Sequence, residues 1–157
     1  MAHPPHRAYA TIMGTYAGGL AVAATLAKLL DRDPREGSAL DLAVLGLATF
    51  KASRTIARDE VTSFIRAPFA EGEAHEGGEE PKETGDLQQA IGELVTCSRC
   101  VGTWAAAGLA TTQMLAPRTG RLLTWTLAAA GINDVFQAGF TALTHKSNEL
   151  ERREDDP

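Results

Sequence analysis

Residues 8–30 form an apolar stretch whose only charge is Lys28, and no other feature limits the possible folds as much. At about 1.5 Å rise per residue such a stretch makes a helix of roughly 34 Å, enough to cross a hydrocarbon layer about 30 Å thick. Ile12, Met13, Tyr16, Leu20, Val22, Leu26, Leu29 and Leu30 supply its apolar mass. A signal peptide is the other reading. The basic start is weak, however, no small-residue cleavage site stands out, and the stretch exceeds the usual apolar region of a leader. We therefore expect the segment to stay on the chain.

Three further apolar segments follow. Residues 39–56 (ALDLAVLGLATFKASRTI) come after Pro34, Gly37 and Ser38, with Ser38 placed to cap a helix. The apolar part is cut short by Lys51 and Arg54, so this segment spans only if those long side chains snorkel to the interface. Residues 101–116 stop at Pro117, and a PRTG turn leads into residues 122–144, which together predict a helical hairpin. Asn133 and Asp134 fall near the centre of that last segment, where a carboxylate is costly unless it faces a partner or water. They read either as a proton or ion relay or, with Gly131 and Gly139 beside them, as a polar clamp in a tight interface.

The apolar content is mostly small, with 27 alanines and 15 glycines beside 16 threonines, which favours close helix packing and excludes a β-rich core. The expected fold is all-α, a single domain over residues 1–150 built as a small bundle of three or four transmembrane helices, with a charged tail at 151–157. Mean hydropathy is only −0.13. Ten acids between residues 59 and 93 and five after Thr144 account for that dilution. A soluble, alanine-rich helical subunit of a larger assembly is the alternative, although the polar stripe such a bundle needs is mostly missing. A net charge of −5 with dispersed bases excludes nucleic acid as a partner.

If all four segments cross, Arg7, the six bases of the middle loop and the three of the tail share one side, against five on the other. The positive-inside rule then puts both termini and the middle loop in the cytoplasm. The middle loop has two parts. Residues 51–69 interleave charge and apolar residues up to the helix-ending Pro68, as a segment lying along a membrane surface does. Residues 70–85 (AEGEAHEGGEEPKETG) show no apolar period and predict a flexible, solvated acidic insert, in which His75 is a poor ligand. His3 and His6 sit in a Pro-rich tip.

After the insert, an amphipathic start at residues 86–96 leads into Thr-Cys-Ser-Arg-Cys and the third apolar segment. The succession of LATFKASRTIARDEVTSFIRAPF and GELVTCSRCVGTW resembles the domain-of-unknown-function family 1360, small bacterial and phage integral membrane proteins with a CxxC motif. The resemblance covers roughly residues 40–116 and falls on Arg54, Asp59, Glu60, Arg66, Pro68, Glu93, Cys97, Cys100 and Trp104. It implies a bacterial inner membrane protein without an assigned activity. Two departures stand out: Ser98 and Arg99 lie between the cysteines, where many members carry proline and an aromatic residue, and the acidic insert is long.

Cys97 and Cys100 are the only cysteines, at the expected first turn of the third helix, where backbone N–H groups and Arg99 favour thiolate. A cytoplasmic location makes a structural disulfide unexpected. Three readings stay open. The thiols hold a metal such as zinc, with two further ligands from a second copy or from Asp59, Glu60 or a histidine; they form a redox pair; or they pack at a helix entrance with Trp104 anchoring the interface. Arg54, Arg58 and Arg66 with Asp59 and Glu60 suit anionic lipid headgroups or intramolecular ion pairs. Phosphate loops, nucleophile elbows and HExxH helices are absent from the sequence, so the reading is non-enzymatic. The chain is expected to act as an interaction or assembly component, with Arg54, Asp59, Glu60, Arg66, Pro68, Glu93 and Trp104 meeting lipid or a partner. Membrane lipids and further subunits, or a second copy, are its expected partners.

Overall fold

The computed structural model describes residues 5–32, 37–73 and 78–155. The fold is all-α. Helices α1 (His6–Leu29), α2 (Ala39–Arg58), α3 (Ser63–Arg66), α4 (Leu87–Thr96), α5 (Ser98–Leu115) and α6 (Pro117–Asp155) carry nearly all the regular structure. A 3-10 turn, Glu60–Thr62, leads into α3, and a two-stranded antiparallel ladder pairs β1 (Ala70–Glu71) with β2 (Glu80–Pro81).

Helix α2 is the central element and packs along both α5 and α6, while α1 leans on α4 and α5. Ser38 starts α2 as expected: its hydroxyl accepts from the Asp41 N–H at 3.2 Å, and the Asp41 carboxylate accepts from the Ser38 N–H at 2.9 Å. Two orphan donors of the first turn are thereby satisfied. The core is centred on Val44, Ala48 and Ala128, with Leu47, Leu109 and Leu127 around it.

The expected PRTG turn is not a turn. Pro117 opens α6 directly, with Ala116 alone between the two helices, because proline's fixed φ and missing N–H suit the first helical position. The hairpin closes at Gly120, where an added Cβ would lie 2.4 Å from the Gln113 Cα. Gln113 Nε2 donates to Thr124 Oγ1 at 2.8 Å across the same crossing, and Thr124 is fully buried. Gly120→Ala is expected to cost about 1–3 kcal/mol through overpacking against backbone, read as a lower melting temperature in detergent. An unchanged melt would show that the hairpin is looser than this.

Two more expectations need correction. Helix α6 does not end near Thr144 but runs for 39 residues into the charged tail, a length of about 58 Å. The acidic insert is not a free tether throughout: Ala70 pairs with Pro81 and Glu71 with Glu80, and α4 rests on the ladder at Gly92, where an added Cβ would meet the Phe69 carbonyl oxygen at 2.5 Å. The register is held because Lys82 N donates to Phe69 O at 3.0 Å. His3 and His75 lie outside the described residues.

Side-chain size is distributed the reverse of a water-soluble core. Among the described residues, six of the eight buried apolar side chains are alanines, and the other two are Val44 and Val101. Met13, Leu20, Val22 and Leu26 on α1, and Leu122, Trp125, Phe136, Phe140 and Leu143 on α6, face outward. Among the described residues α1 alone is long and apolar enough to cross a membrane by length and composition. Lys51, Arg54 and Arg58 lower α2 on that measure, and Asn133, Asp134 and Gln137 lower α6.

Candidate functional site

Most of the motif residues gather at one end of the bundle, where α2 ends, α3 and the ladder turn back, and α4 hands over to α5. The last carbonyls of a helix need donors. At the end of α2 they come from Arg66, which is fully buried and donates from Nη1 to Ile56 O at 2.6 Å and from Nη2 to Asp59 O at 3.0 Å. Nη1 also reaches Thr62 Oγ1 at 2.9 Å, and that hydroxyl donates to the Thr55 carbonyl. The guanidinium's Nε pairs with Glu79, whose side chain is only 8% exposed. Arg66 is therefore an internal clamp that joins α2, α3 and the ladder. Its expected place on a lipid or partner surface is corrected, because every side of its fork is occupied within the chain.

The end of α3 is tied down in the same way. Gln88 Nε2 donates to Pro68 O at 2.7 Å, and Lys82 Nζ donates to Ala67 O at 3.0 Å. Glu93 likewise works inside the chain, accepting from the Tyr9 hydroxyl of α1 and from Gln89 Nε2 at 2.9 Å. Trp104 meets the Tyr16 ring edge-on with centroids 5.1 Å apart. Glu93 and Trp104 thus dock α1 on α4 and α5. On the outside of this end lie Arg54, whose guanidinium sits 5.8 Å above the Phe50 ring, with Glu60, Pro68 and the apolar side chains Val61 (75% exposed) and Phe64 (73% exposed).

Cys97 is the single residue between α4 and α5 and caps α5 with its sulfur, which accepts from the Cys100 N–H at 3.3 Å. The thiol of Cys97 is held below its ordinary value by a hydrogen bond from the Cys100 S–H, against burial, with backbone N–H groups and the Arg99 charge adding to the effect. Donating that bond, together with burial, pushes Cys100 up to about 11. The two thiols are therefore unequal, as nucleophile chemistry at a helix start requires. Near neutral pH a maleimide or iodoacetamide is expected to modify Cys97 first, because the bond that Cys100 donates to it keeps Cys100 in the thiol form. Cys100→Ala, by removing the donor, is expected to slow alkylation at Cys97; equal rates at both sulfurs would contradict this arrangement.

Zinc would need more than this pair. Among the described residues no group of three or more His, Cys, Asp or Glu side chains stands close enough to hold a metal ion, so Asp59 and Glu60 do not complete a site with the thiols.

About two turns before the end of α2, Lys51 meets Asp134 of α6 at 2.9 Å. Lys51 is thus turned to α6 instead of to the interface. Gly131 permits the approach, since an added Cβ there would lie 3.0 Å from Leu47 O, whereas Gly139 has open space around it. Asn133 is exposed.

Thr62, Glu79 and Tyr9 complete these arrangements and were not singled out by their residue types, while Tyr16 and Lys51 read in the sequence only as apolar mass and as a snorkelling base. Glu79 is one acid among many in its run, and only the ladder register places it beneath Arg66.

The chain belongs to the family of proteins of unknown function DUF1360, whose family model matches residues 44–140. That match extends beyond the expected residues 40–116 into α6. It is similar to Sporulation protein YjcA of Bacillus subtilis (strain 168), at 28% identity over 109 residues covering 62% of this chain and 88% of that protein. No solved structure matches the chain.

Proposed function

We propose that the chain is a small integral protein of the bacterial inner membrane that acts as a non-enzymatic interaction or assembly component. The observation that carries this reading is the reversed packing: alanines inside and large apolar side chains outside. In water that arrangement wastes the hydrophobic effect, whereas in lipid the outer face is already solvated and small residues let helix backbones approach. The Lys51–Asp134 pair fits the same setting, because two charges inside an apolar layer are tolerable when they meet each other. The termini and the CxxC end face the cytoplasm in this reading. The outer corner formed by Arg54, Glu60, Val61, Phe64 and Pro68, held rigid from within by Arg66, is the contact surface. A sporulation setting, carried over from the name of the Bacillus relative, is part of the proposal.

The test is membrane partition combined with thiol labelling of Cys97 and Cys100 by an impermeant reagent, in intact and in lysed cells. Carbonate-resistant protein labelled only after lysis is the expected result. Release by carbonate would overturn the reading in favour of a soluble helical subunit.

A second reading rests on the inequality of the two thiols. A Cys97 thiolate attacks a disulfide of a partner protein, and Cys100 then displaces the mixed disulfide. The partner is reduced to two thiols and Cys97–Cys100 is oxidised. Loss of function in Cys97→Ser but not in variants of the outer corner would favour it.

A further inference from the structure

At the end of the bundle opposite the cysteines, the close of α1, the start of α2 and the corner between α5 and α6 surround a cavity of about 560 Å³, a size that holds a small molecule. Its rim carries Arg32, Ser38, Asp41 and Arg121, and its floor is Leu42, Leu45 and Ala110. An adjoining recess of about 380 Å³ shares Arg32 and Pro117 with it and adds Arg118. The cap between Ser38 and Asp41 and the tight α5–α6 crossing at Gly120 hold the walls, so the cavity is pre-formed.

The charges of the rim are not balanced within it. Its carboxylate, Asp41, is already taken, because it accepts from the Ser38 N–H at 2.9 Å and from the Ser38 hydroxyl at 2.7 Å. Among the described residues neither Arg32 nor Arg121 forms an ion pair or donates a hydrogen bond, and the Arg121 charge acts on Asp41 without pairing with it. With Arg118, three guanidinium groups line the two spaces against one occupied carboxylate, and no lysine is among them. A guanidinium fork matches the paired oxygens of a phosphate. The arginines also stand where the positive-inside rule predicts few bases, since this end faces away from the cytoplasm in the orientation proposed above. An anionic ligand gives them a reason to be there.

We infer that the cavity binds one anionic phospholipid, its phosphate between Arg32 and Arg121 and one acyl chain along Leu42, Leu45 and Ala110. The polarity of the cavity runs in the lipid's own order. Arginines lie near the helix ends, and apolar side chains follow toward the middle of the bundle, with Leu45 seven residues beyond Ser38, about 10 Å deeper. Leu42 is 71% exposed, so an acyl chain lying on it passes directly into the surrounding bilayer. A free phosphate would use the rim and leave the floor in water, whereas a phospholipid covers both. A zwitterionic lipid brings its own ammonium charge to the arginines and loses part of the attraction. The site rests on the membrane reading.

The test is native mass spectrometry of the full-length chain, released in detergent from vesicles of equal parts phosphatidylglycerol and phosphatidylcholine. One phosphatidylglycerol is expected to stay bound, in preference to phosphatidylcholine. Arg32→Gln combined with Arg121→Gln is expected to lower that adduct about tenfold or more, since hydrogen bonds from charged groups are lost. Both side chains are exposed, so the fold does not depend on them. Ala39→Glu is expected to act in the same direction with both arginines in place, because it sets a carboxylate in the rim, in the first turn of α2, where a helix favours one. Arg54→Gln combined with Arg99→Gln, at the cysteine end, is expected to leave the adduct intact. Equal retention of the two lipids, an equal loss in the Arg54 and Arg99 variant, or displacement of the lipid by millimolar inorganic phosphate would overturn the inference, the last by assigning the rim to the free anion. Carbonate extraction of the same cells reads the membrane proposal separately. A carbonate-resistant chain without the adduct loses the site and keeps the membrane, and a released chain loses both.

Discussion

Arg66→Ala is expected to cost the fold a third or more of its stability and to lower the melting temperature sharply. The side chain is wholly buried, and its loss leaves Glu79 as an uncompensated charge and strips donors from Ile56 O and Asp59 O. Breaking a buried pair by deleting one partner costs about 3–5 kcal/mol, a large share of the roughly 5–15 kcal/mol that holds a domain together. Expression level and melting in detergent both read it. Glu79→Ala is expected to act in the same direction, by stranding the guanidinium. Arg66→Met combined with Glu79→Leu is expected to recover part of the loss, since an apolar pair of similar volume carries no desolvation penalty. A wild-type melt for Arg66→Ala would show that the corner is held by something other than the clamp.

The second large effect concerns Lys51 and Asp134. In water, a pair 2.9 Å apart with side chains 21% and 35% exposed would contribute up to about 1 kcal/mol. Within an apolar layer, Asp134→Ala strands the Lys51 charge at a cost of about 2.5–3.5 kcal/mol. The larger figure is expected for protein unfolded from vesicles. Lys51→Asp together with Asp134→Lys is expected to restore most of the stability, which neither single change can do. A cost below about 1 kcal/mol for Asp134→Ala would place the pair at a water surface.

These two sites show what residue patterns reveal and what they conceal. The helices were legible because apolar length, the Ser38 cap and the Pro117 stop act within a few residues of one another. The cost of Asp134 was equally legible, since any carboxylate in an apolar segment needs a partner. Lys51 as that partner was not, because it lies 83 residues away and its place depends on how α2 crosses α6. Arg66 reads on its own as a surface base beside other bases. Only the fold shows that it closes the end of α2 and takes Glu79 from a run of acids that no local period distinguishes. The length of α6 was hidden for a related reason: its charged end looks like a solvated tail, and only the fold shows the helix running on to Asp155.

The proposed function requires lipid around the outward apolar side chains. It is tested most directly by placing nitroxide labels on cysteines introduced one at a time at Met13, Leu20, Val22 and Leu42, in a chain lacking Cys97 and Cys100, reconstituted into phospholipid vesicles. Collision rates with oxygen, which concentrates in lipid, and with a water-soluble nickel complex then report the surroundings of each label. Oxygen is expected to dominate at all four sites. Nickel access dominating at Leu20 and Val22, in the middle of α1, would contradict it and return the chain to a soluble assembly.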